Sequence, residues 1–209
     1  MRSWKDRSLV GTSADEGRAV MTEEVGVGER QHSVAICASS GANRAGSSRG
    51  RQDQVVDYAA LPTKRMGAGA LIRDGDDRVL LVKPTYKWGW EIPGGIVERN
   101  ESPHACCGRE LAEELGVAIE PGRLLVVDWL SALHDRTEGV MLIFDGGRVD
   151  ESLASRMTPA AGELSDLRFV DVESLDGLVS ARKARRLRAA WACVRDGTAT
   201  YLDDGALPL

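Results

Sequence analysis

The chain has 209 residues, 43% hydrophobic and 28% charged, a size and balance that suit one ordinary domain with a substantial core. Its formal net charge of −5 gives no overall attraction to a polyphosphate chain, so a nucleic acid polymer is not an expected partner, whereas a small anionic substrate screened by cations is compatible. The longest apolar runs, such as "RLLVVDWLSAL", fall short of the roughly 18 residues that span a bilayer, and "MRSWKDRSLVGTS" has no apolar segment of signal-peptide length, so the expectation is a cytoplasmic protein without a membrane partner.

Residues 1–54 alternate Ser, Gly, Arg and Glu without sustained periodicity, as in "ASSGANRAGSSRGRQDQ". Such composition buries too little apolar area to offset its ordering entropy, which predicts a disordered N-terminal extension before a folded domain over 55–209. "MGAGALIRDGDDRVLLVK" reads as two antiparallel strands around the turn-forming "DGDD". "KWGWEIPGG" continues as a short extended stretch, with Trp88, Trp90 and Ile92 alternating against Gly89 and Glu91, and ends at Pro93 and two glycines.

A helix follows: Ser102 suits the N-cap, Pro103 the first helical position and Gly116 the position just past the end, giving a span from about Pro103 to Leu115. "GRLLVVDWLSAL" and "GVMLIFDGG" read as well-buried strands and "DLRFVDV" as a weaker one. A last helix starts at Ser180 and reaches about Arg195, before Gly197, with Ala184, Leu187, Ala190, Trp191 and Val194 at helical spacing. The order predicts a mixed sheet flanked by helices, without internal repeats.

Cys37, Cys106, Cys107 and Cys193 have no metal-ligand spacing, and the adjacent pair would point about 100° apart on its helix. They read as reduced structural thiols.

The first helix carries the informative pattern. With Glu110 at zero on a helical wheel, Glu113 falls at about −60° and Glu114 at about +40°, so three carboxylates share one face. Cys107, Gly108, Leu111, Ala112 and Leu115 form the predicted buried stripe beside that face, which places the acids at the edge of a cleft. Like charges three and four residues apart repel by roughly 0.2–0.5 kcal/mol each, and Arg109 alone cannot balance three acids. Oxygen ligands on one face suit a hard divalent cation, Mg²⁺ or Mn²⁺. "REXXEE" by itself is equally an acidic solvated face; the longer frame decides between them.

From Gly95 the chain runs through five residues to Glu101, seven to Arg109-Glu110-Leu111, one to Glu113-Glu114 and one to Gly116-Val117. This resembles the Nudix box with every specified position filled, and "WEIPGG" before it resembles what Nudix proteins carry there. The similarity covers about residues 64–200 and leaves 1–54 outside. It implies an α/β/α sandwich, and hydrolysis of a nucleoside diphosphate linked to another moiety with Mg²⁺ or Mn²⁺ as cofactor. Carried over by motif position, Glu113 and Glu114 would be the main metal ligands, and the Gly94 carbonyl a further one. Glu110 would be a ligand or the base that orients water, while Glu101 and Arg109 would hold loop and helix together around Gly95 and Gly116. Pro93, Gly94 and Gly95 would let backbone approach metal and diphosphate closely.

A further ligand or base from outside the box is expected, with Glu163 the first candidate and Glu138 the second. Lys83, Tyr86, Lys87 and Trp88 precede the glycine loop and are candidates for phosphate or base contact, Lys83 and Trp88 foremost, although Trp88 and Trp90 alike read first as core and Lys83 as the end of a strand. Arg182, Lys183, Arg185, Arg186 and Arg188 read as a solvated basic face or homodimer contact, with phosphate recognition as the other use. Members selective for ADP-ribose often carry a proline, and those for dinucleotide polyphosphates a tyrosine, in the window that here reads "ALHD" (132–135). With neither present, ADP-ribose-like sugar nucleotides and (deoxy)nucleoside triphosphates both stand as substrate classes. A nucleotide-sensing module without catalysis is the competing reading, and the complete box argues against it.

Overall fold

In a computed structural model, Asp57 and residues 60–208 are described, so the extension expected over 1–54 lies outside the described residues. Strands β1 (Arg65–Arg73) and β2 (Val79–Pro84) form the expected hairpin. Its turn is built on Asp74, whose carboxylate accepts from the Asp76 and Arg78 amides at 3.0 and 2.9 Å, while Asp77 takes a left-handed φ of 63°. Strand β3 (Gly94–Ile96) follows, then helix α1 (Pro103–Leu115), strands β4 (Leu124–Leu130) and β5 (Gly139–Arg148), and the short helix α2 (Glu151–Ala154). Strand β6 (Leu164–Val170), a 3-10 turn over Val172–Leu175, helix α3 (Ala181–Asp196) and strand β7 (Thr200–Asp203) complete the order.

The sheet runs β6-β2-β1-β5-β4-β7, with β3 alongside β1. The β1/β5 and β4/β7 pairs are parallel and the remainder antiparallel, so the sheet is mixed as expected. Alternation along β1 sends Leu71 to one face and Ala68, Ala70 and Ile72 to the other. The first face is covered by α3 through Ala184, Leu187, Ala190 and Cys193; the second by α1 through Cys106, Cys107, Leu111 and Leu115. Helices on both faces of one sheet make the α/β/α sandwich.

Both helix ends in the motif behave as the sequence predicts. Ser102 Oγ accepts from the Ala105 amide at 3.1 Å, and Gly116 closes α1 at φ 68° with its N–H on the Ala112 carbonyl. The buried stripe needs correction, because Ala112 is exposed and Cys106 is fully buried. Cys106 lies on the acidic side of the wheel, but it packs in the core cluster and Arg109 and Glu101 reach its thiol. Burial pushes the Cys106 and Cys107 thiols up to about 11 and about 12, and Cys106, Cys107 and Cys193 are free, which agrees with inert structural thiols.

Three further differences concern the strands. The extended stretch does not stop at the glycines, because Gly94, Gly95 and Ile96 pair with Gly69, Ala68 and Gly67. Small residues on both strands permit that approach: a Cβ on Gly69 would meet the Pro93 carbonyl oxygen at 2.7 Å. Strands β4 and β5 bury only part of their residues, and α2 and β7 are too short for a periodic signal. Among the described residues no helix is long and apolar enough to cross a membrane.

Candidate active site

The pairing of β3 with β1 fixes how the glycine loop meets α1. Ala70 donates to the Pro93 carbonyl and Val97 to the Met66 carbonyl, so Gly94 opposite Gly69 is a non-hydrogen-bonded pair. The amide and carbonyl of Gly94 therefore turn away from β1. That amide donates to Glu114 Oε2 at 2.8 Å, which ties the last turn of α1 to the loop. Gly94 itself sits at φ 141°, and a Cβ there would lie 2.3 Å from the Ala68 carbonyl oxygen. Gly95 is glycine for another reason: Glu110 Oε1 lies where its Cβ would be, 2.2 Å away.

Arg109 gathers the other acids. It grips Glu101 with two parallel bonds, Nε to Oε1 at 2.8 Å and Nη2 to Oε2 at 3.0 Å, and spends Nη1 on Glu110 at 2.9 Å and Glu113 at 3.0 Å. The Arg109 bonds, with one from the Glu98 amide, hold the Glu101 carboxyl down at about 2. These bonds tie the loop that carries Glu101 to the helix. Burial pushes Glu114 up to about 7 against the Gly94 bond, and the carboxylates of Glu110, Glu91 and Glu163 add to that rise. Burial raises Glu110 as well, with Arg109 opposing and Glu113 and Glu101 reinforcing.

Whether these residues fit a divalent ion depends on donors and charge. Glu110, Glu113, Glu114 and the outward carbonyl of Gly94 offer hard oxygen only, and Arg109, already bound to Glu101, is the cation that Glu110 and Glu113 share. In the side-chain positions described, Glu110 and Glu113 face Arg109 and Glu114 faces the Gly94 amide. Accordingly, no three His, Cys, Asp or Glu side chains among the described residues converge into a ready cage. The donor set and charge fit the ion; the rotamers belong to the salt-bridged arrangement.

On the other side of β3 opens a cleft of about 260 Å³ between the glycine loop and α3. Arg65, Lys87, Arg136, Arg182, Lys183 and Arg186 bring positive charge to its wall, and Glu91 is the single acid among the lining residues. Glu91 accepts from Lys87 at 2.6 Å and also bonds Lys183, and these two cations lower its carboxyl despite burial. The basic run on α3 is thus not one solvated face. Arg185 and Arg188 bond the Asp204 and Gly205 carbonyls and Asp176, Arg182 and Lys183 line the cleft, and Arg186 is buried on Asp128 at 2.5 Å.

The outer candidates separate. Glu163 stands near enough to Glu114 to raise it, in a loop fixed by Thr85 donating to the Glu163 carbonyl at 2.8 Å. Glu138 lies at the start of β5, engaged by Lys64. Neither Lys83 nor Trp88 lines the cleft; both border a separate depression with Trp90 and Leu178, where Trp88 is 84% exposed and Lys83 lies over the Trp90 ring. Trp90 belongs to the core, as expected. Sequence reasoning missed Glu91, Arg65 and Arg136. Only the position of Glu91 just before "IPGG" could have drawn notice, since the arginines come from strands and loops far apart in the chain.

The family model described as NUDIX domain matches residues 63–191. A MutT-like protein of Streptomyces ambofaciens is 34% identical over 70 residues, 34% of this chain and 41% of that protein. The NAD-capped RNA hydrolase NudC of Stutzerimonas stutzeri is 26% identical over 117 residues, 56% of this chain and 40% of that protein. The chain therefore spans less than half the length of these relatives. The crystal structure of a MutT protein from Methanosarcina mazei Go1 aligns with a TM-score of 0.53 at 22% identity, over 66% of this chain and 99% of that one, a likeness of fold.

Proposed function

The chain belongs to the NUDIX family, and on that premise we propose that it hydrolyses the diphosphate linkage of a nucleoside diphosphate joined to another moiety. The observation that carries this reading is the bond from the Gly94 amide to Glu114, with Glu110 packed on Gly95, which sets the acidic face of α1 directly against the glycine loop and its neighbouring cleft. A relative that acts on NAD-capped RNA supports a nucleotide substrate.

Glu110, Glu113 and Glu114, with the Gly94 carbonyl, would hold Mg²⁺ or Mn²⁺, which supplies charge neutralisation and a water of lowered pKa. The chain's own part is positional. Arg109 fixes Glu110 and Glu113 relative to the loop, and Gly95 leaves room for Glu110 beside the reacting phosphates. Glu163, exposed and close to Glu114, is the candidate outside the box to orient or deprotonate the attacking water. The cations of the cleft bind the anionic substrate that the net charge of −5 would otherwise repel.

A panel of ADP-ribose, sugar nucleotides and nucleoside triphosphates, assayed for released AMP, phosphate and pyrophosphate with Mg²⁺ and with chelator, tests the reading. Metal-dependent release from at least one compound is expected. Binding without release from any of them would favour a nucleotide-sensing module instead.

A further inference from the structure

Resting on that reading, we infer that the moiety held in the cleft carries at least one phosphate of its own, beyond the diphosphate whose linkage is cut. The lining has more cationic charge than its acid can absorb. Arg136, Arg182 and Arg186 have carboxylates of their own in Asp135, Asp204 and Asp128, but Lys87 and Lys183 share the single carboxylate of Glu91, and the guanidinium of Arg65 bonds the Thr137 carbonyl and no carboxylate among the described residues.

Arg186 adds a built anchor. It is 7% exposed, and its Nε is committed to Asp128, which the Gly205 amide holds in turn at 2.9 Å. Its two terminal nitrogens make no hydrogen bond among the described residues, and Arg186 lines the cleft. A guanidinium fixed at Nε and free at its fork is preorganised for two parallel bonds to a phosphate.

A neutral sugar or base in this space would accept hydrogen bonds from that fork and the shared lysines but bring no negative charge to offset theirs, which disfavours it. An extra phosphate answers both, and a space of about 260 Å³ admits it. The cleft shares Gly94 and Gly95 with the acidic face, so a group bound there is continuous with a diphosphate at the loop.

The test is calorimetric binding, with chelator present, of paired compounds that differ by phosphate: ADP-ribose and its 2′-phosphate, NADH and NADPH, diadenosine diphosphate and diadenosine tetraphosphate. The wild type should bind the phosphate-richer member of at least one pair about tenfold more tightly, and Lys183→Gln should abolish most of that preference. Arg186→Gln should do the same; because Arg186 is buried, its result counts only if the melting temperature stays near wild type, and Lys183→Gln decides otherwise. Equal affinity within every pair, no binding at millimolar concentration, or a preference that survives Lys183→Gln would overturn the inference. Absence of hydrolysis for all compounds, with the preference intact, would instead remove the catalytic reading alone.

Discussion

Replacing Gly95 with alanine should separate activity from stability. A Cβ at that position would lie 2.2 Å from Glu110 Oε1, 2.3 Å from Cδ and 2.6 Å from Oε2. Ordinary contact is about 3.5 Å, so the carboxylate must retreat by about 1 Å or more. It is the end of a flexible side chain, and re-rotating it costs about 0.5–1.5 kcal/mol besides what its bond to Arg109 loses. A displacement of that size at a reacting centre, however, lowers turnover by about 10²-fold. Gly94→Ala provides the contrast, because its Cβ would meet the Ala68 carbonyl oxygen at 2.3 Å and Gly69 Cα at 2.4 Å, in backbone that cannot swing aside, from a φ of 141°. That variant should lose about 3 kcal/mol or more. Urea unfolding and initial rates on the best substrate of the panel measure both quantities. Gly95→Ala with wild-type turnover would refute the claim that Glu110 must occupy that place, and equal destabilisation of the two variants would refute the claim that the contact is soft.

Glu114→Gln should lower turnover by orders of magnitude at unchanged fold, and should also alter acid stability. The folded protein holds a proton on Glu114 up to about 7 that the unfolded chain releases near 4.5, so stability falls as pH rises through that interval. In chelator, thermal melts across it should show a shallower fall for the variant, and identical slopes would sink the assignment. Arg109→Lys retains charge but not the paired grip on Glu101, and should cost about 10–100-fold in turnover, read from initial rates. Asp128→Ala strands Arg186 and the Gly205 amide, and should lose about 3–5 kcal/mol in urea unfolding; a loss under 1 kcal/mol would show that the pair is dispensable.

Much of the site was legible because α1 carries its own instructions. Ser102, Pro103 and Gly116 fix its ends, and the 100° step then sets Glu110, Glu113 and Glu114 on one face whatever surrounds them. The hairpin at Asp74 and the last helix from Ser180 are local in the same sense. The Arg109–Glu101 staple, though it crosses the turn, is carried by motif spacing. What the helical wheel misjudged, Cys106 and Ala112, depends on which neighbouring segment covers each side.

The cleft belongs to the other category. Arg65 comes from β1, Lys87 and Glu91 from the loop before β3, Arg136 from the β4–β5 connection and the α3 cations from the far end of the chain, and no period or spacing relates them. The basic run on α3 looked uniform in sequence, yet packing divided it into Arg186 buried on Asp128, Arg182 and Lys183 facing the cleft, and Arg185 and Arg188 tied to surface carbonyls and Asp176. The sequence by itself determined the acidic helix and its glycine loop, because capping, periodicity and glycine geometry act over a few residues. Only the tertiary structure decided which cations meet Glu91 and line the cleft, because those positions are set by long-range strand register and by the packing of α3 on the sheet.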